Sequence, residues 1–461
     1  MKRIAACLLG LSLLLLNGCA NTFRPPAPLS LSGGLYQSTD DSQLAIAVDA
    51  SGGKHTAHVE CLVATGLSCR VIYEVTHSGE VSAYQSYLPS SGYSFINPDV
   101  AVTDSGLAVV AWQNCPEGDP NTRLCSTWFV RSDTLSTLHV LEVGTHSLSA
   151  PLVVSRGEVI YAVNEVTNGA VGSALRYCKV SNLANPCYWV SDHPDPGSDD
   201  GVRRTEATAV VSSSGSLHVV WLATAASNKS AYYNDNYGAL SADMDHWLSL
   251  GSDVSLPPAM AMQTNGADLY IALATHETPS DQLRLWYCAP QNCASKGGTT
   301  QVNLPAAQKW VFLAKPSITA GSDVMYGTFS ASNTDHPTQK DIYDFSYKAG
   351  GAVPGVTRTY PTTLAAGSNA CDPAIVLVAS FETIGWHVCG FPPARSDIYL
   401  YDTAHGGRII HTSNFAGRGG LGMAANGDFV GGIWNEVQSD GRVATWLAFN
   451  SYLTMLPVIR K

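Results

Sequence analysis

The stretch Pro98 to Trp112 reads PDVAVTDSGLAVVAW: a short apolar run, a polar turn around Gly106, and a second apolar run that ends in Trp. Two such runs bounded by turn-forming residues predict a pair of strands joined by a hairpin, with Gly106 where the turn needs a positive φ. Related forms recur at Leu44 to Cys61, Pro151 to Val163, Glu206 to Trp221, Pro258 to Leu273, Pro316 to Phe329, Pro373 to Trp386 and Gly420 to Trp434, which makes eight copies. Their mean spacing is about 54 residues, near the length of one β-propeller blade. No amphipathic helix interrupts the pattern. The chain is therefore predicted to be all-β: a single β-propeller of four-stranded blades over residues 35–461, with eight blades by this count and seven as the alternative.

In the second copy the expected strands, from the innermost outward, are Asp99 to Thr103, Leu107 to Gln113, Ser126 to Arg131 and Leu138 to Val143. Innermost strands lie between neighbouring blades and should be small and apolar on both faces, as in Ala45 to Val48 and Ala207 to Val210. Trp112, Trp221, Trp386 and Trp434 share one register and read either as packing between blades or as a row of binding platforms. Closing the ring requires an outermost strand for the last blade. Leu35 to Ser38 and Tyr452 to Ile459 compete for it, and the first is favoured because it would lock the N-terminal end to the C-terminal blade.

Lys2 and Arg3 precede an apolar run from Ile4 to Leu16, too short for a comfortable membrane span, and Asn17-Gly18-Cys19 follows at once. This order resembles the lipobox of bacterial lipoproteins. The resemblance implies a signal peptide over residues 1–18, lipidation of Cys19, and a protein anchored through that lipid in the bacterial cell envelope, facing the periplasm or the exterior. A plain secretory signal or a buried N-terminal helix is the alternative reading. Residues 19–34, rich in Pro, Ser and small side chains, read as a flexible tether.

Removing residues 1–18 takes away Lys2 and Arg3 and moves the net charge from −11 to −13, which disfavours a nucleic-acid partner. Of the 12 cysteines, Cys7 falls in the signal and Cys19 is the lipid site. The other ten form neighbouring pairs within single copies: Cys61 with Cys69, Cys115 with Cys125, Cys178 with Cys187, Cys288 with Cys293, and Cys371 with Cys389. Local disulfides in an oxidising compartment are expected, because no Cys-x-x-Cys or nearby His cluster favours zinc. The pairs containing Cys61, Cys115 and Cys371 should lie on one face of the ring and the other two on the opposite face.

The repeated pattern and the segments Asp341-Ile342-Tyr343 and Asp397-Ile398-Tyr399 resemble the sialidase-like propellers, and Ala231 to Trp247 is similar to a degraded Asp-box region. That family uses six blades, an arginine triad and a Phe-Arg-Ile-Pro signature. Here Phe23-Arg24-Pro25-Pro26 is the near match and lies in the tether, so the resemblance carries no catalytic residue onto this chain. The blade motif of eight-bladed quinone-dependent dehydrogenases and of the outer-membrane assembly lipoprotein is missing.

Other constellations are weaker. Asp192, Asp195, Asp199 and Asp200 crowd one linker and form a candidate structural calcium site, against the plainer reading of a solvated acidic loop; no other cofactor is expected. Asn234-Asp235-Asn236 reads as calcium ligands or as an Asx turn. Tyr232, Tyr233, Tyr237, His246 and Trp247 read as a sugar-stacking stretch or as outer-strand packing. Gly-x-Ser-x-Gly is absent, although Ser, His and Asp remote in sequence could still meet in a triad. With no catalytic motif, the leading expectation is a binding or assembly module whose protein or glycan partner sits on a propeller face. The alternatives are a sialidase-like glycoside hydrolase and a structural subunit of a surface layer or filament. A central funnel lined by two carboxylates roughly 5 to 9 Å apart with an arginine nearby would favour the hydrolase, and a broad apolar or aromatic patch on one rim would favour a protein or glycan partner.

Overall fold

The computed structural model describes Ala27–Pro28, Tyr36–Ser38 and residues 44–451, except 66, 78–79, 118–124, 142–145, 168–171, 183–186, 192–200, 226–227, 238–242, 245–247, 278, 294–296, 306–307, 313, 360–368, 390–395, 403–405, 414–420 and 438–442. Eight antiparallel sheets follow one another along the chain, and the innermost strand of each packs on the next, that of the eighth on the first. This is the eight-bladed propeller expected from the repeat. Helix is limited, among the described residues, to one turn at Pro290–Asn292.

Blade 2 shows the common plan: Tyr93–Val102 innermost, then Ala108–Pro116, Ser126–Arg131 and His139–Val140. Its innermost strand is longer than the sequence predicts and carries a register shift between Ile96 and Asp99. The same interruption recurs at Thr205/Thr208 in blade 4 and Cys371/Ala374 in blade 7, and it splits the innermost strands of blades 1, 3 and 6 in two. Asn97, Glu206 and Asp372 adopt positive φ there. The recurrent proline of the motif, as in Pro98 and Pro373, falls at this break, where a residue without an N–H removes no ladder bond. A bulge also re-aims side chains. Here it sits at the end of the strand where the chain enters each blade, on the face we call the entry face.

Tyr36–Ser38 pairs with Glu60, Cys61 and Leu62 and so continues the innermost strand of blade 1 beyond its break. It is therefore not the closing strand, and that expectation is corrected. Ala27–Pro28 closes the ring instead, pairing with Leu447 and Trp446 on the outer side of Val443–Ser451 in blade 8. The reason is geometric. Passing from the outermost position of blade 8 to the innermost of blade 1 crosses three strand spacings, about 14 Å, which Tyr36–Ser38 cannot do while also pairing inside. The seven residues 29–35 supply ample chain for that crossing. Two residues of the segment read as a tether thus belong to the ring.

The seam between blades 8 and 1 is tight. Gly52, at φ +83°, stands where an added Cβ would lie 2.6 Å from the Phe429 ring, and Lys54 places its ammonium 5.5 Å from the centre of that ring. Gly52→Ala should therefore lose about 2 kcal/mol in denaturant unfolding, from strain and overpacking together. A stability equal to the parent's would show that the seam is looser than drawn.

Four disulfides join Cys61 to Cys69, Cys115 to Cys125, Cys178 to Cys187 and Cys288 to Cys293. Cys371 is also disulfide-bonded, while the side chain of Cys389 lies outside the described ones. Cys61–Cys69 and Cys115–Cys125 clamp loops between second and third strands on the entry face; the other two clamp loops between third and fourth strands on the opposite face. Each closes a short loop, adding about 2 to 3 kcal/mol by loop entropy. Disulfides in this number belong to an oxidising, extracytoplasmic compartment. No helix among the described residues is long and apolar enough to cross a membrane.

Candidate functional site

In blades 2, 3 and 8 the second strand is apolar through its middle and turns polar towards the entry face. Trp112-Gln113-Asn114 and Val163-Asn164-Glu165 follow this rule, as does Trp434-Asn435-Glu436 in sequence. In blade 3 the rule places Glu165 fully buried near the end of Val159–Thr167. Arg203, which opens the innermost strand of blade 4, donates from Nη2 to Glu165 Oε1 at 3.0 Å. Its neighbour Arg204 turns the other way and donates to the Ser173 and Val202 carbonyls. The only Arg-Arg step in the chain is thus divided between the ion pair with Glu165 and the scaffold.

Glu165 Oε2 has no hydrogen-bond partner. A buried acceptor left unmatched costs free energy, and a ligand donor can recover it. The surrounding cleft between blades 3 and 4 has a volume of about 520 Å³ and is lined by Asn164, Glu165, Arg203, Thr205, Glu206 and Thr224, with Ser149 and aliphatic side chains beneath. Glu206 reaches it from the innermost-strand bulge.

Beside it, at the axial mouth, a cavity of about 290 Å³ is lined by Lys315, Asp372, Ser317 and Thr208 among others. Lys315 is enclosed by protein on its sides yet touches channel solvent, and this burial lowers its pKa against the opposing pull of Glu206 and Asp99. Asp99 accepts from the backbone N–H of Val153 at 2.6 Å and of Val100 at 2.9 Å, tying blade 2 to blade 3. Burial pushes its carboxyl up to about 7 even so. At the opposite end of the axis Arg156 reaches past blade 4 to the carbonyl of Thr264 at 2.5 Å, across a cavity of about 740 Å³ lined mainly by small and apolar residues.

The residues singled out from sequence fall elsewhere. Trp112, Trp386 and Trp434 are buried between blades and Trp221 nearly so, which excludes a row of platforms. Tyr233 is buried and Tyr232 stacks on Trp221, leaving Tyr237 as the exposed ring; His246 and Trp247 lie outside the described residues. Asp235 Oδ1 accepts from the Tyr237 N–H and Asn236 Oδ1 from the Leu217 N–H, so this segment is an Asx turn, with Asp235 Oδ2 taken up by the Tyr233 hydroxyl. Asp192, Asp195, Asp199 and Asp200 lie outside the described residues, as does Cys19. Among the described residues no group of three or more His, Cys, Asp or Glu could hold a metal ion.

Among the described residues Ser, His and Asp meet in the first turn of blade 1. Ser51 Oγ donates to Asp49 Oδ1 at 2.7 Å and lies 3.2 Å from His77 Nε2, whose other ring nitrogen faces Ser82 Oγ at 3.1 Å. With its proton on Asp49, Ser51 is an acceptor towards His77, so the three do not form a nucleophile–base–carboxylate relay. Exposed apolar side chains on the entry face include Val63 and Leu67 on blade 1, Leu88 on its link to blade 2, and Tyr93 at the start of blade 2.

No protein-family model matches this chain, and no curated protein matches it. Several solved structures show a distant likeness. The polysaccharide lyase Uly1 is 10% identical, with 92% of this chain and 100% of that one covered and a TM-score of 0.47. An α-L-arabinanase of Penicillium chrysogenum complexed with arabinobiose is 10% identical over 92% of this chain and 98% of its own, at a TM-score of 0.39. A puromycin-hydrolyzing peptidase of Mycobacterium tuberculosis is 15% identical over 80% of this chain, which spans only 55% of the peptidase, at a TM-score of 0.46. Likenesses at this level assign no activity.

Proposed function

We propose that this chain is an extracytoplasmic, lipid-anchored propeller that binds a glycan in the entry-face cleft between blades 3 and 4. The observation that carries the reading is the unpartnered, fully buried Glu165 Oε2 in a cleft otherwise rich in hydroxyl, carboxamide and carboxylate groups. The polar groups of that lining suit a ligand that presents many hydroxyl donors, and Leu152, Val163 and Leu175 offer an apolar surface to the face of a sugar ring. Glu165→Gln keeps the side chain's shape and one acceptor for Arg203. In calorimetric titration of the full chain in neutral detergent against a panel of oligosaccharides, it should weaken binding at least tenfold while leaving the thermal midpoint within a few degrees. Equal affinity in parent and variant would remove the cleft from the account.

A second reading is hydrolysis of the same glycan. It is supported by Glu165 and Glu206 lining one cavity, since glycoside cleavage uses paired carboxylates. Release of reducing ends by the parent but not by Glu165→Gln would establish it.

The anchor rests on the order Lys2-Arg3, apolar run, Gly18-Cys19. Cys19→Ser should leave the protein folded and shift it from the membrane to the soluble fraction. Retention in the membrane after a salt wash would contradict lipid anchoring.

A further inference from the structure

We infer that the cleft takes neutral or amino-bearing glycans and turns away acidic ones such as uronate or sialate chains. This rests on the glycan reading above and names its ligand class. An acidic sugar needs a cation, and among the described residues the two cations of the site are outnumbered by the carboxylates that line it. Arg203 is committed to Glu165, and Lys315 stands among Asp99, Glu206 and Asp372. Across the two adjoining cavities the lining carboxylates are Glu165, Glu206 and Asp372, against Arg203 and Lys315 as the cations. The balance stays negative even with Asp99 counted as neutral. His387, 3.9 Å from Asp372, adds no positive charge near neutral pH, because burial holds its imidazole below the usual range against the pull of that carboxylate.

Two further features act in the same direction. Glu165 Oε2 is an acceptor without a donor, which an ammonium or hydroxyl satisfies and a carboxylate repels. The whole chain carries a net charge of −11, so the long-range field also disfavours anionic chains at low salt. The arginine triad that the sialidase-like resemblance would require is not assembled among the described residues, where Arg203 is the only arginine lining either cavity.

The test is calorimetric titration of the full chain in neutral detergent with three oligosaccharides of matched length: a neutral glucan, an amino-sugar oligomer held below its amine pKa, and a uronate oligomer. At low ionic strength the amino-sugar oligomer should bind at least as tightly as the glucan, and both about tenfold or more tighter than the uronate, with the gap closing as salt is added. Glu206→Gln should narrow the ratio of amino-sugar to uronate affinity by about threefold, and Lys315→Gln should widen it by about as much. Opposite shifts of this kind cannot come from misfolding. Tightest binding of the uronate, or shifts in the same direction for both variants, would overturn the charge inference while leaving glycan binding in place. Failure of all three oligosaccharides to bind would overturn both.

Discussion

Trp112→Ala should destabilise the protein by about 4 kcal/mol, the largest effect expected of a single truncation here. Trp112 is fully buried at the seam between blades 1 and 2, with the Tyr87 ring centred 5.0 Å away on one side and the Phe95 ring 5.5 Å away on another. Its neighbours come from both blades: Val71 and Tyr73 from one, Val110 and Val130 from the other. Interlocked β-strands cannot collapse into the space that the indole leaves, so the cavity term adds to the lost transfer energy. Trp112→Phe fills part of that space and should lose about half as much. Denaturant unfolding of the two variants measures the difference, and a loss below about 1 kcal/mol for the alanine variant would show that the blade seam does not depend on this ring.

Lowering the pH from neutrality to 4 should cost about 3 kcal/mol through His218 alone. Tyr233 donates its hydroxyl proton to Asp235 Oδ2 at 2.7 Å and therefore accepts from His218 Nδ1 at the same distance. The imidazole thus carries a proton on Nδ1, while Nε2 is buried and without a partner. Burial pushes its pKa down to about 4, against the pull of Asp235. In the unfolded chain the same group titrates near 6.5. Between these values the unfolded state binds more protons, so stability falls as the pH drops through that window and levels off below it.

Asp99 and Glu382 oppose this trend. Burial raises both to about 7, with the charge of Asp344 adding to the effect at Glu382, so the folded state takes up their protons first and gains stability as the pH falls towards 4. The clean observable is the difference between parent and His218→Gln, which should change by about 3 kcal/mol across the window in favour of the variant. A difference independent of pH would mean that His218 is not held neutral.

The ring itself was legible because every blade repeats one pattern of burial. Small apolar runs such as Ala45 to Val48 can only be innermost strands, and Trp112, Trp386 and Trp434 recur where two sheets meet. Cysteine pairing was legible for a similar reason, since short loops inside one blade hold both partners. Ring closure was misread because Tyr36–Ser38 and Ala27–Pro28 are both short and extended. What separates them is the inner-strand break, and the prolines at 98 and 373 mark it only once the register is known.

The cleft was hidden for a different reason. Glu165 and Arg203 lie 38 positions apart in different blades, and the packing of blade 3 on blade 4 is what brings them within 3.0 Å. A signal was nevertheless available. Polar residues such as Asn164 and Glu165 directly follow the register occupied by Trp112 in blade 2, on a strand that otherwise has no reason to carry a carboxylate. Lys315, one residue before the proline of its repeat, sits at the same break that turns Glu206 towards the axis, and nothing in local sequence distinguishes it from a surface lysine.

Amide hydrogen exchange of the full chain in detergent, with and without a saturating neutral oligosaccharide, addresses the ligand site most directly. Protection should concentrate in peptides covering residues 161–167 and 203–208, the strands that carry Glu165, Arg203 and Glu206, with little change in the turns at 104–106 and 156–158 on the opposite face. Protection confined to that opposite face, or none at an oligosaccharide concentration where binding is complete, would contradict a glycan site between blades 3 and 4.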